Sequence, residues 1–248
     1  MLDPKHNRPK IRITGLGACM IGGYPHDTGS FYDLACEDIA ARCDVEVQRH
    51  VHSLGGFPAP RAAKYLAKKV LPEKPDYVVI QLASLDALCP VRKGPSSSAR
   101  GSSFDGPSAV QVKSASLTSR MRWLVASVLG VVLHLEPTTP LPQLLEVMDF
   151  MIQQCLDQRA TPVIIGPFVY GSMYSMRNGL RYADALRTLA AKRAGAIFVD
   201  ATPSLRRFSK TRTLQADGFH LSKLGHALVA EQVASAVARD INAKQATL

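Results

Sequence analysis

Residues 10–43 read KIRITGLGACMIGGYPHDTGSFYDLACEDIAARC. The opening KIRITG (10–15) is a short β-rich run, Gly15 and Gly17 permit a tight turn after it, and the chain becomes helix-compatible around 30–43. Working outward, the same rhythm recurs. Further β-rich runs are VEVQRHV (45–51), DYVVIQLAS (76–84), TPVIIGPF (161–168) and GAIFVDAT (195–202), and helix-compatible segments lie around 59–71, 142–159, 177–194 and 221–240. Strands that alternate with helices need crossover connections, and crossovers make parallel neighbours. The reading is an α/β fold, a three-layer α/β/α sandwich with a mostly parallel five-stranded sheet. In such sheets ligands sit at the carboxyl ends of the strands, so chemistry is sought just after each run.

The 248 residues fit one domain spanning 1–248, and apolar residues at 46% with charged residues at 20% exclude a disordered chain. Residues 92–118, RKGPSSSARGSSFDGPSAVQVKSASLT, break the rhythm with Ser, Gly and Pro and read as a flexible basic insertion. After it, the apolar core from Trp123 to Val132 falls well short of the roughly 20 residues that span a bilayer. That segment is expected to be a buried helix or strand near the sheet. The N-terminal decapeptide is polar and basic with no apolar secretion segment behind it, so a cytoplasmic location is expected. Cys19, Cys36, Cys43, Cys89 and Cys155 are odd in number and form no close C-x-x-C pair, so reduced thiols are expected and no zinc site is indicated. The net charge of +10 fits a soluble basic surface; no nucleic-acid-binding module accompanies it, and no specific nucleic-acid partner is predicted.

Two segments carry candidate chemistry. In GLGACMIGG, Cys19 follows a glycine-rich strand-to-helix turn, which can expose a side chain beside backbone N–H groups. A thiol there can be activated by a neighbouring imidazole, although a lone Cys in such a turn also fits a small buried hydrophobe. Near the C-terminus, ADGFHLSKLGHALVAEQVASAV places Asp217 and His220 three residues apart before a helix. The carboxylate can orient one imidazole nitrogen while the other faces a nucleophile; a local turn with a helix cap is the alternative. Gly225, Leu228, Val229 and Val233 give the following helix a small, apolar docking face.

Together these segments resemble the SGNH or GDSL hydrolases, whose first block is similar to G-D-S and whose last is similar to D-x-x-H. Here the blocks read Gly17, Ala18, Cys19 and Asp217, Gly218, Phe219, His220. The resemblance implies Cys19 as nucleophile, His220 as base and Asp217 as its orienting acid. HSLGGFPAP looks like the glycine block, which implies Gly56, or else Gly55, as a backbone oxyanion donor beside the N–H of Cys19. VVIQLASLDAL looks like the G-x-N-D block, read as Ala83, Ser84, Leu85 and Asp86. Leu85 thus replaces the asparagine donor, and Ser84 is the candidate substitute. Loss of one such donor costs acyl-transfer enzymes about 2.7 to 4 kcal/mol of transition-state stabilisation.

The resemblance implies an esterase, thioesterase or acyltransferase taking a small-molecule or carbohydrate-linked acyl substrate, with no cofactor and no metal. A rival from another class is a catalytically inactive protein of the same fold that binds a carbohydrate, an acylated ligand or a protein. A third is an anion-binding protein acting through the insertion. His50 and His52, two apart on a strand, lack a third metal ligand; His26 and Asp27 read as a capped loop, and His226 as packed or exposed on the last helix. The sequence leaves the oligomeric state open.

Overall fold

The computed structural model describes residues 8–23, 29–87, 125, 128, 132, 133, 135–168, 173–216 and 218–247. The insertion at 92–118, the His26 and Asp27 pair, Cys89 and Asp217 lie outside these residues.

Among the described residues, five strands form one wholly parallel sheet in the order β2-β1-β3-β4-β5: β1 Lys10–Gly17, β2 Glu46–Ser53, β3 Tyr77–Gln81, β4 Thr161–Ile165 and β5 Ile197–Val199. The central β3, YVVIQ, is buried along its whole length, as a parallel strand covered on both faces must be. Its side chains alternate: Tyr77 and Val79 join one apolar cluster with Ile13, Val163 and Ile165, whereas Val78 and Ile80 join the opposite one with Leu16 and Ile164. Each such side chain, fully buried, contributes about 1.5 to 3 kcal/mol. β2 is an edge strand and largely exposed.

Helices α1 (Phe31–Cys43) and α7 (Lys223–Gln245) cover the first face, and α2 (Ala59–Tyr65), α3 (Leu141–Asp157) and α4 (Met173–Ala191) cover the second. Short helices α5 (Thr202–Arg206) and α6 (Lys210–Thr213) lead into α7. α1 starts where a capping box satisfies its first N–H groups: Ser30 Oγ accepts from Asp33 N, and Asp33 accepts from Ser30 N, each at 3.1 Å. His226 is packed, at 1% exposure; its Nδ1 accepts the Phe31 N–H at 3.0 Å and pins the start of α1 to α7.

One expectation needs correction. The helix expected at 59–71 does not run on as an α-helix, but widens into a π turn at Leu66–Val70 and tightens into a 3-10 turn at Leu71–Glu73. Of the apolar run from Trp123 to Val132, Val125, Val128 and Val132 are described and are exposed by 51%, 45% and 64%; the rest of the run lies outside the described residues. No helix among the described residues is long and apolar enough to cross a membrane.

Candidate active site

The strand order reverses between β1 and β3, since the chain moves from β1 to β2 on one side and to β3 on the other. Crevices in parallel sheets open at this point, beyond the carboxyl ends of the strands, and β1 delivers Cys19 there. The close approach is set by Gly17, where a Cβ would lie 2.6 Å from the Gln81 carbonyl oxygen and 2.9 Å from Gln81 Cβ. Ala18 N–H is shared by Gln81 O at 3.1 Å and Gln81 Oε1 at 3.2 Å. A single 3-10 turn, Cys19–Gly22, follows and ends on Gly23 with φ +86°. Met20 and Ile21 are buried beneath it, and Cys19 stays half-buried.

The loop after β2 is fastened to the same turn. Leu54 N donates to Gly17 O at 2.8 Å, and Ser53 Oγ donates to Ala18 O at 3.3 Å. Gly55 follows with φ +59°, and Gly56 is exposed with open space where a side chain would be.

The loop carrying His220 is closed by main-chain bonds. Gln215 N donates to His220 O at 2.8 Å, Gly218 N donates to Gln215 O at 2.9 Å, and Gly218 takes φ +68°. Ser222 then caps α7, accepting from Gly225 N at 3.1 Å and donating to Arg212 O. The Phe219 ring meets His220 edge to face at 5.1 Å between centroids. The loop sets His220 Nε2 at 3.3 Å from Cys19 Sγ, across 201 residues of sequence. This is hydrogen-bond reach for sulfur and the separation a nucleophile and its base require. The other described cysteines have no such neighbour, and burial pushes the Cys36 and Cys155 thiols up to about 12.

Ser84 is 7% exposed, and its Oγ accepts the Phe168 N–H at 3.1 Å, which ties the loop after β3 to the loop after β4. Ala83 holds φ +69° where the resembling block has glycine, and is kept there by Asp86, whose Oδ2 accepts Ala83 N–H at 3.1 Å. Asp86 Oδ1 accepts from Ala59 N at 3.1 Å and from the Thr139 hydroxyl. One buried carboxylate thereby joins the start of α2, the loop after β3 and the approach to α3. Neither this junction nor the Gln81 contact was read from the sequence. The available signal was a polar residue closing the apolar run YVVI. His50 and His52 are taken up by Glu73, at 3.2 Å and 3.0 Å, and His52 Nδ1 also meets Tyr65 Oη at 3.2 Å.

No protein-family model matches the sequence, and no curated protein matches it. Solved structures do. The lipase/acylhydrolase from Enterococcus faecalis superposes with a TM-score of 0.63 at 21% identity, covering 94% of this chain and 96% of that one. A lipolytic protein of the G-D-S-L family from Desulfitobacterium hafniense gives 0.56 at 14%, covering 91% and 99%. The chain has the SGNH hydrolase fold. The family 3 carbohydrate esterase of Clostridium thermocellum is similar too, at 0.61 and 12% identity over 94% of this chain and 98% of its own. Within this fold, Cys19 stands in the turn after β1 and His220 in the loop before α7.

Proposed function

We propose that this protein is a hydrolase or acyltransferase acting on acyl esters or thioesters through Cys19, His220 and Asp217. The observation that carries the reading is the 3.3 Å approach of Cys19 Sγ to His220 Nε2. His220 takes the thiol proton as sulfur attacks the acyl carbonyl, and the tetrahedral adduct collapses as His220 returns that proton to the departing alcohol or thiol. Water, or an acceptor hydroxyl or thiol, then gives its proton to His220 and attacks the Cys19 acyl thioester, which frees the thiol and releases the product. Asp217 holds His220 in the working tautomer, and the N–H groups of Cys19 and Gly56 receive the oxyanion, with Ser84 the candidate third donor. The fold's likeness to an acylhydrolase and a carbohydrate esterase supports small-molecule or carbohydrate-linked acyl substrates.

The test is turnover of short and medium acyl esters and thioesters by wild type, Cys19→Ala and His220→Ala under reducing conditions. Turnover lost in both variants, with an acyl adduct on Cys19 by mass spectrometry, supports the mechanism. Leu85, which cannot donate a hydrogen bond, favours a second reading in which the site binds an acylated or carbohydrate ligand, or a protein, without turnover. No turnover and no adduct with a reactive acyl probe would select it.

A further inference from the structure

The loop that supplies Gly56 runs directly into a basic cleft. Phe57, Arg61, Lys64, Tyr65, Lys68 and Lys69 line a space of about 380 Å³ on α2 and the π turn that continues it. From Ser53 to Pro72 the sequence contains four cations and no acid. None of the four joins an ion pair among the described residues, and Glu73, the next acid, faces His50 and His52 instead. Cations three and four apart on a helix repel one another, so a solvated face would be expected to intersperse acids here. The cleft is also organised. The Arg61 guanidinium lies over the Phe57 ring, 3.9 Å from its centroid, which leaves the edge of the fork open to an anion. The Tyr65 hydroxyl is within 3.2 Å of His52 Nδ1, which fixes the ring. The π turn at Leu66–Val70 widens the helix at the point where Lys68 and Lys69 join the cleft, and such turns frequently mark functional sites.

We propose that this cleft binds the phosphate-bearing part of an acyl carrier, so that the substrate is an ester or thioester whose alcohol or thiol portion carries phosphate. Cleft and nucleophile share one connection: Ser53 and Leu54 bond to Ala18 and Gly17 beside Cys19, and Phe57 follows Gly56. A ligand whose carbonyl sits over Cys19 can therefore extend its leaving group along residues 55–57 into the cations. Phe57 and Tyr65 line the same space of about 380 Å³ as the four cations, so an aromatic or ribosyl portion beside the phosphates would meet apolar surface there. A sulfur nucleophile suits a thioester, because the acyl group passes from one sulfur to another. This assignment rests on the proposed acyl chemistry of Cys19, but its binding half is tested without turnover.

Calorimetry of the full chain with adenosine 3′,5′-bisphosphate is expected to show binding that weakens at least tenfold in Arg61→Ala and in Lys68→Ala, with melting temperatures reporting that both variants fold. Matched acetyl thioesters of coenzyme A and of N-acetylcysteamine differ in the phosphates, and the ratio of their kcat/KM values is expected to exceed ten and to collapse toward one in the same variants. Bisphosphate binding without turnover would uphold the subsite and overturn the enzyme reading; turnover with equal preference for the two thioesters would do the reverse. Inorganic phosphate binding as tightly as the bisphosphate would overturn the carrier assignment. So would salt-dependent capture of RNA with no response to bisphosphate.

Discussion

Ala18 N–H is held twice by Gln81, from the main-chain oxygen at 3.1 Å and from the side-chain oxygen at 3.2 Å. The main-chain bond is an extension of the β1–β3 pairing, whereas the side-chain bond belongs to this residue alone and steadies the turn that presents Cys19. Gln81 Nε2, by contrast, is buried without a hydrogen-bond partner among the described residues. A buried orphan donor costs about 1 to 3 kcal/mol. Gln81→Met removes both the orphan and the second hold on Ala18. Its unfolding free energy in urea should be unchanged or about 1 kcal/mol higher, while turnover falls about tenfold as the Cys19 turn loosens, a change of about 1.4 kcal/mol in the barrier. Equal turnover in the variant would reduce Gln81 to a core filler.

Asp86 gathers three donors from three segments, Ala59 N, Ala83 N and the Thr139 hydroxyl. Asp86→Asn replaces an acceptor oxygen with an NH2 group that must face one of those donors. Hydrogen bonds to a charged group contribute about 1.5 to 3 kcal/mol each, so the loss should be on the order of 3 kcal/mol. Thr139→Val removes one donor only and should cost about half as much. Chemical denaturation of the two variants checks the order; an Asn variant as stable as wild type would show that the carboxylate does not hold the loops together.

The parts of the fold that were legible share one property: their signal is local. β3 and β4 are apolar runs because a central parallel strand is buried on both faces, and Cys19 and His220 each stand in a short block of recognisable composition. The strands end earlier than their apolar runs, at Gln81 and Ile165, because the chain leaves the sheet there to build the loops of the site. What was hidden depends on partners distant in sequence. Gln81 acts on Ala18 across 63 residues and Asp86 on Thr139 across 53, and neither spacing leaves a periodic trace.

Cys155 is fully buried in α3, and burial alone pushes its thiol from the ordinary 9.0 up to about 12. In the unfolded chain the thiol ionises near its ordinary value while the folded chain keeps the proton. The group's contribution is therefore complete below pH 9 and is lost as pH rises toward 12, by about 1.4 kcal/mol per pH unit. Unfolding free energies measured between pH 8 and 10.5 should fall more steeply for wild type than for Cys155→Ala, by about that slope. Comparing the two proteins cancels the buried tyrosines, Tyr32, Tyr77 and Tyr182, which ionise above their ordinary 10.0 in both. Parallel slopes would mean that the thiol reaches water in the folded state.

Gly225 lies in the first turn of α7, where alanine would ordinarily gain about 1 kcal/mol in helix propensity. A Cβ at this position would stand 2.3 Å from the Thr213 carbonyl oxygen and 3.1 to 3.2 Å from the Leu221 side chain. The first obstacle is backbone, and it cannot swing aside: Thr213 O also accepts the Ser222 N–H at 2.9 Å, the bond that closes the loop bearing His220. The steric term should reverse the propensity term. Gly225→Ala is expected to lose about 2 to 3 kcal/mol of stability, as overpacked sites do, and to lower turnover further by drawing His220 Nε2 away from Cys19 Sγ. Thermal melts and steady-state kinetics read the two effects separately, and a raised melting temperature would show that α7 can lift off Thr213 without disturbing the site.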